Sequence, residues 1–123
     1  MTIPDFYFAS SEHEHLAQPR KGFRVRRIGI INRDDAWVIR LDPPLRGDDY
    51  GGDRDVDSVV VATRHQGASI WPAMGWPIYV FVLVPTVDDW LSRDHLERSE
   101  FRNVAWAELY RTEDGARSKV MSE

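Results

Sequence analysis

The sequence predicts an α+β domain dominated by β-structure, in which a single small antiparallel sheet or half-open barrel has one or two short helices packed on it. Two observations carry this prediction. Residues 78–84 (IYVFVLV) are apolar at every position, and residues 37–42 (WVIRLD) alternate between the two sides of a strand. Both runs are shorter than ordinary helices and rich in β-branched and aromatic residues. With 123 residues, the chain is expected to form one domain, residues 1–123.

The first strand-like run, residues 20–30, changes its parity part of the way along. Phe23 and Val25 share one side of an extended chain, whereas Ile28 and Ile30 share the other side. The core-facing side therefore switches near Arg26–Arg27, and we predict a β-bulge there.

A turn over residues 32–35 (NRDD) separates this run from the next one, so that the two form a β-hairpin. The second strand is predicted to direct alternate side chains into the core and outward. The core-facing residues are Trp37, Ile39 and Leu41, and the outward ones are Val38, Arg40 and Asp42.

The middle of the chain contains a loop and two further strands. Residues 43–56 are rich in Asp, Gly and Pro, which predicts a long acidic loop. A strand is predicted over 57–64. Residues 78–84 are bracketed by Pro77 and Pro85 and should be covered on both faces, because a strand with one wet face would alternate.

A short amphipathic helix is predicted after Pro85. Thr86 and Asp89 have the spacing of a capping box, and Val87, Trp90 and Leu91 fall on one helical stripe.

The last part of the chain is ambiguous. Residues 101–111 fit a strand or a helix, and the turn-forming pair Asp114-Gly115 favours the strand. Residues 112–123 are expected to be a frayed tail, and residues 1–20 are only weakly patterned.

Composition excludes several classes of protein. Hydrophobic residues make up 42% of the chain and charged residues 29%, as in ordinary globular domains. No apolar run is long enough to span a membrane, and no secretory signal is visible, so a cytoplasmic protein is expected. Cysteine is absent, which removes disulfides and thiolate sites. No cofactor is predicted.

The net charge of −4 is small, but its distribution is uneven. Residues 20–27 hold five basic side chains and no acidic ones, whereas residues 42–57 hold six Asp and two Arg. Such polarity affects the choice of partner more than it affects the fold.

The acidic loop is a weak candidate for a metal site. Asp53, Asp55 and Asp57 alternate as oxygen ligands of Ca²⁺ can. An EF-hand loop would then need Gly and Glu where Ser58 and Arg64 stand. We therefore predict no metal and interpret the loop as a solvated turn region.

The end of the second central strand is the candidate catalytic region. His65 could serve as a general base and Arg64 could hold an anion, with Ser69 nearby. No nucleophile elbow accompanies Ser69, and no acid has an obvious spacing to orient His65. The sequence favours the alternative, a polar strand end whose side chains bond to carbonyl groups or to the acidic loop.

Residues 70–77 (IWPAMGWP) are the candidate recognition loop. Trp71 and Trp76 each precede a proline, which favours extended, rigid backbone, and Met74 lies between them as an adaptable contact. The alternative is a lid folded over one end of the core, and the sequence favours it slightly.

The leading functional hypothesis is a non-catalytic protein-interaction module, by analogy similar to immunity or inhibitor proteins. It would bind a protein partner through polarised charge and the Trp-Pro loop. The predicted contact residues are Trp71, Met74, Trp76, Asp48, Asp49, Asp53 and Asp55.

Two alternatives stay open. One is a small enzyme for a polar substrate with His65 as base and Arg64 as anion clamp. The other is a binder of single-stranded nucleic acid through residues 20–27. The acidic remainder of the chain argues against nucleic-acid binding.

Overall fold

The computed structural model describes residues 4–9, 20–46, 55–72 and 76–116. These residues form seven β-strands and two short 3₁₀ turns, at Trp90–Ser92 and Arg98–Glu100, with one helical turn at 113–116. The strands are β1 (Phe6–Ala9), β2 (Arg20–Ile30), β3 (Arg33–Leu45), β4 (Val56–Thr63), β5 (Ile78–Pro85), β6 (His95–Leu96) and β7 (Phe101–Tyr110).

Six of the strands close into an antiparallel barrel in the order β1-β2-β3-β4-β5-β7. Closure depends on β1, which pairs with β2 on one side and with β7 on the other. The two-residue β6 adds to β2 in parallel, outside the barrel. The prediction of a β-dominated fold is confirmed, and the barrel is closed rather than half-open.

Two hydrophobic cores lie on opposite sides of the barrel wall. The inner core fills the barrel and consists of Phe6, Ile39, Leu41, Leu45, Val59, Val61, Ile70, Val80, Val82, Val84, Ala107 and Leu109. The outer core lies between the strands and the segment 87–101 and consists of Ile28, Ile30, Ala36, Val38, Val60, Ala62, Leu83 and Leu96. Strands β4 and β5 are therefore covered on both faces along most of their length, whereas the outer face of β3 is covered only at Ala36 and Val38.

The predicted β-bulge is confirmed at Val25. Arg24 pairs with Ile39 and Arg26 pairs with Val38, so one extra residue stands between them on β2. The core-facing residues differ from the expectation, because Phe23 and Val25 lie on the outer face and Val25 is exposed. The even-numbered residues before the bulge face inward instead.

The hairpin of β2 and β3 is confirmed, with a tighter turn at 31–32 than predicted. Trp37, Ile39 and Leu41 face the inner core as expected. Val38 does point away from the barrel, but the outer core buries it completely.

The prediction of an amphipathic helix after Pro85 is wrong. Only the 3₁₀ turn Trp90–Ser92 forms, and Asp89 makes no side-chain capping bond. The guanidinium of Arg26 binds the carbonyl oxygens of Leu91 and Arg93, at 2.9 and 2.6 Å. These bonds and the packing of Trp90 on the outer core hold the segment in an irregular conformation.

Other predicted boundaries agree closely or lie outside the described residues. Residues 101–110 are a strand, and β4 begins one residue earlier than predicted. Strand β3 continues through residues 43–45, so the acidic loop begins later; residues 47–54 are outside the described part. After β7, Ala116 is buried against Tyr110 and Tyr7. No helix in the described residues is long and apolar enough to cross a membrane.

The pairing of β1 with β2 depends on Gly22, which has no side chain to displace the ring of Phe6. A Cβ atom at this position would lie 2.7 Å from Cδ2 of Phe6, which is fully buried in the inner core. We predict that Gly22→Ala lowers the free energy of unfolding by about 2 kcal/mol, because a packed ring must move.

Gly29→Ala is the matched control for this prediction, measured by urea denaturation of both variants. Its Cβ would also meet an atom at 2.7 Å, but that atom belongs to the imidazole of His95, which is partly exposed and can rotate. Equal losses in the two variants would contradict the proposed importance of the Phe6 contact.

Candidate functional site

The connection between β4 and β5 crosses one end of the barrel and is tied down by Asp35. The carboxylate of Asp35 accepts a hydrogen bond from the backbone N–H of Gly67. It also accepts two from the guanidinium of Arg33, at 2.5 Å from Nε and 2.9 Å from Nη2. We call these three residues the Asp35 anchor.

Arg33 links the anchor to the end of β4. Its Nη1 donates to the carbonyl oxygen of Thr63 at 2.8 Å, and the hydroxyl of Thr63 donates to the carbonyl oxygen of His65 at 2.9 Å. Gly67 has a φ of +84°, which favours glycine, and the space around its Cα is open. The start of the connection therefore has a defined conformation.

The anchor changes the acidity of Asp35. Chiefly the hydrogen bond from Arg33, and also that from Gly67, lowers the pKa of Asp35 from 3.8 to about 2. The carboxylate is therefore ionised throughout the neutral range and keeps its strong hydrogen bonds there.

Trp71, farther along the connection, is held by an arginine. The guanidinium of Arg24 lies 4.5 Å from the ring centroid of Trp71 and 5.0 Å from that of Trp37. Phe6 meets Trp71 edge to face, at 6.0 Å between centroids. Cation–π and aromatic contacts of this kind fix a ring while leaving part of it in water; Trp71 stays 44% exposed.

A cleft of about 630 Å³ opens beside this connection. We call it the His65 cleft, and its polar lining consists of Thr63, Arg64, His65, Ser69, Tyr79 and Glu108. The three candidate catalytic residues thus lie in one concave site, together with a carboxyl group at residue 108 that is only 5% exposed.

The hydrogen bonds of Ser69 and His65 can be followed within the described residues. Ser69 Oγ accepts the backbone N–H of Trp71 at 3.1 Å, which makes it a turn-stabilising group. Among the described residues, no hydrogen bond joins the imidazole of His65 to Ser69 or to a carboxylate. Of the acidic region, the described residues Asp55 and Asp57 are not in the lining, whereas Glu108 is.

Two large aromatic side chains at the cleft side of β5 are open to solvent. Trp76 is 75% exposed and Tyr79 is 52% exposed. The prediction that the strand 78–84 is covered on both faces is therefore wrong at Tyr79, because the outer core does not extend that far along β5. The predicted contact residue Met74 lies outside the described residues.

Of the acidic residues predicted to bind a partner, only Asp55 is described, and it is exposed. Asp48, Asp49 and Asp53 lie outside the described residues. Asp55 and Asp57 line a shallow pocket of about 170 Å³ with Asp88. Within the described residues, no group of three His, Asp or Glu side chains could hold a metal ion.

The basic segment 20–27 is largely engaged within the protein. Arg20 is buried, Arg24 stacks on two indoles, and Arg26 binds carbonyl oxygens of the segment 87–101. Arg27 lies 5.3 Å from the ring centroid of Trp37. These contacts fix the conformation of the side chains, and Arg24 and Arg27 stay exposed.

Sequence reasoning missed Glu108 and Tyr79 as lining residues. In the sequence, Glu108 is an acidic residue between Ala107 and Leu109 in a strand-like run, and that interruption is the signal that could have found it. Comparison of the chain with protein-family models, with curated proteins and with solved structures finds no match.

The Asp35 anchor leads to a prediction about pH. Because the pKa of Asp35 is lower in the folded protein, its stabilisation is complete above about pH 4 and is lost as the pH falls toward 2. We expect Asp35→Asn to lower the free energy of unfolding at pH 7 by about 1 kcal/mol, after allowance for solvent screening.

Denaturant titrations at pH 7 and pH 2 would measure this effect, and the difference from the unmodified protein should shrink at pH 2. Asp34→Asn is the matched control, since Asp34 is exposed and adjacent. A pH-independent difference for Asp35→Asn would contradict the role given to its charge.

Proposed function

We propose that this protein is a non-catalytic interaction module that binds a protein partner at the barrel end carrying the β4–β5 connection. The observation that carries the proposal is the exposure of Trp76, at 75% of its surface, next to a segment held by many intramolecular contacts. Trp, Tyr and Arg are the residues that most often dominate binding energy at interfaces.

The neighbourhood of Trp76 supports this proposal. Trp71 and Tyr79 add two partly exposed rings, and Arg64 adds an exposed guanidinium at the His65 cleft. A cleft of this size can accept a side chain of a partner, as interface hot spots commonly do. The barrel end thus offers both protruding and concave features.

Preorganisation is the second support. The Asp35 anchor fixes the start of the connection, Arg24 holds Trp71, and prolines follow both tryptophans. Groups that are already fixed lose less conformational entropy on binding, so more of the contact energy appears as affinity.

The acidic residues complete the proposal. Asp48, Asp49, Asp53 and Asp55 would steer a basic partner toward the domain and raise the association rate. A small acidic domain that covers a basic partner is the arrangement of an immunity-like or inhibitor-like protein, and this part of the proposal is an analogy.

We expect Trp76→Ala to weaken binding of the partner by about thirtyfold, since a central tryptophan commonly contributes about 2 kcal/mol. Native mass spectrometry of the protein purified from its own cells would identify the partner, and calorimetric titration would give the affinity.

Leu91→Ala is the matched control, because Leu91 is 57% exposed but lies on the segment 87–101 rather than on the β4–β5 connection. Equal affinities of the two variants would place the interface elsewhere.

A second candidate is an enzyme or receptor for a small polar molecule, with His65 as base and Arg64 as anion clamp. The observation that favours it is their convergence with Glu108 in the His65 cleft. Volumes of this size are typical of small-molecule sites.

This candidate predicts saturable binding of a small anion. Nuclear magnetic resonance titration with succinate and with inorganic phosphate should shift the signals of His65 and its neighbours, and Arg64→Gln should abolish the shifts. Arg111→Gln removes an exposed charge outside the cleft and should change nothing. Without saturable shifts for either anion, the second candidate loses its support.

A further inference from the structure

A second pocket, of about 370 Å³, lies on the outer side of the barrel. It is a neighbour of the His65 cleft, because its residue Arg33 donates a hydrogen bond to the carbonyl oxygen of Thr63, which lines that cleft. Most of its lining is apolar and includes Ile31, Leu83 and Phe101. The other lining residues in the described part of the chain are two arginines, Arg33 and Arg98, and none of the described lining residues is acidic. We call it the Phe101 pocket. Its size is within the range of small-ligand sites.

The two arginines are in different states. The guanidinium of Arg33 is already bound to Asp35 and to Thr63, so its charge is balanced. Arg98 makes no hydrogen bond or ion pair within the described part of the chain, and it is exposed. Among the described residues that line the pocket, Arg98 is therefore the cation that is available to a ligand.

The acidic residues on either side of Arg98 in the chain contact other side chains. Glu100 binds the guanidinium of Arg93 at 2.6 Å, and Glu97 lies 3.3 Å from the imidazole of His95. Arg98 stands between these two acids in the chain and pairs with neither of them. The guanidinium of Arg98 is therefore left without a carboxylate partner from these two neighbours.

Ile31 lies in the two-residue turn between β2 and β3, where the turn geometry requires a positive φ. It has a φ of +51°, a conformation that is strained for a β-branched residue. Its side chain is nevertheless 43% exposed and lines the pocket instead of filling a core. Glycine or asparagine would fit this turn at lower cost, so an isoleucine here places an apolar side chain in the pocket at the expense of stability.

We propose that the Phe101 pocket binds an amphipathic carboxylate, with its apolar part against Ile31, Leu83 and Phe101 and its carboxylate on Arg98. Charge complementarity selects the anion, because an apolar amine would meet an unbalanced guanidinium. The carboxylate could belong to a free acyl acid or to the C-terminus of a peptide that ends in an apolar residue.

The test is calorimetric titration of the full chain with sodium decanoate, with decanol as the uncharged probe. We expect saturable binding of decanoate and about tenfold weaker binding of decanol, since a hydrogen bond to a charged group is lost. Arg98→Gln should bring decanoate down to the affinity of decanol, whereas Arg111→Gln should not. No binding of decanoate, equal binding of the two probes, or equal effects of the two variants would overturn the proposal.

Ile31→Gly separates binding from folding. The variant removes both the strain and the apolar wall, so we expect an unchanged or higher melting temperature together with weaker binding of decanoate. Unchanged binding would overturn the role given to Ile31.

The source of the carboxylate is decided by a peptide that ends in Leu-Phe, compared with its C-terminal amide. Binding of the free acid form alone supports a chain terminus as the ligand. Binding of decanoate but neither peptide supports a free acid. The site and its test do not depend on Trp76 or on the partner proposed above.

Discussion

The single extra residue at Val25 determines which side of β2 faces each of the two hydrophobic cores. Before the bulge, β2 turns its even-numbered side chains inward; after it, Ile28 and Ile30 face the outer core. One strand therefore supports two cores on opposite sides of the barrel wall. The bulge also separates the arginines of this segment. Arg24 reaches the indole rings at the barrel end, and Arg26 reaches the carbonyl groups of the segment 87–101.

The two proposed sites follow from this arrangement. The β4–β5 connection covers one end of the inner core and presents aromatic rings beside the His65 cleft. The segment 87–101 covers the outer core only in part, and the Phe101 pocket lies next to it. Both sites are formed where an irregular segment rests on regular strands, which is where small barrels can vary without loss of the fold.

Strand periodicity made much of the fold predictable. The alternation of Trp37, Ile39 and Leu41 depends only on local geometry and agrees with the structure. The parity change before Ile28 also agrees, but the side of the strand predicted to face the core at Phe23 and Val25 was wrong. Barrel closure was not predictable, because the pairing of β1 with β7 joins residues about a hundred positions apart. The helix expected after Pro85 failed for a related reason, since bonds from the distant Arg26 override local propensity.

The edge of β2 that faces β1 has a consequence for how this protein meets copies of itself. The short β1 pairs with only residues 20–22 of that edge, and β6 pairs with residues 29 and 30. Between them, the carboxylate of Asp5 accepts the N–H of Arg24, at 2.6 Å. An open strand edge is a template for intermolecular β-pairing. In this protein β1, Asp5 and β6 each cover a different part of that edge. A chain shortened past Asp5 would expose that edge and become prone to aggregation, even if both cores stayed intact.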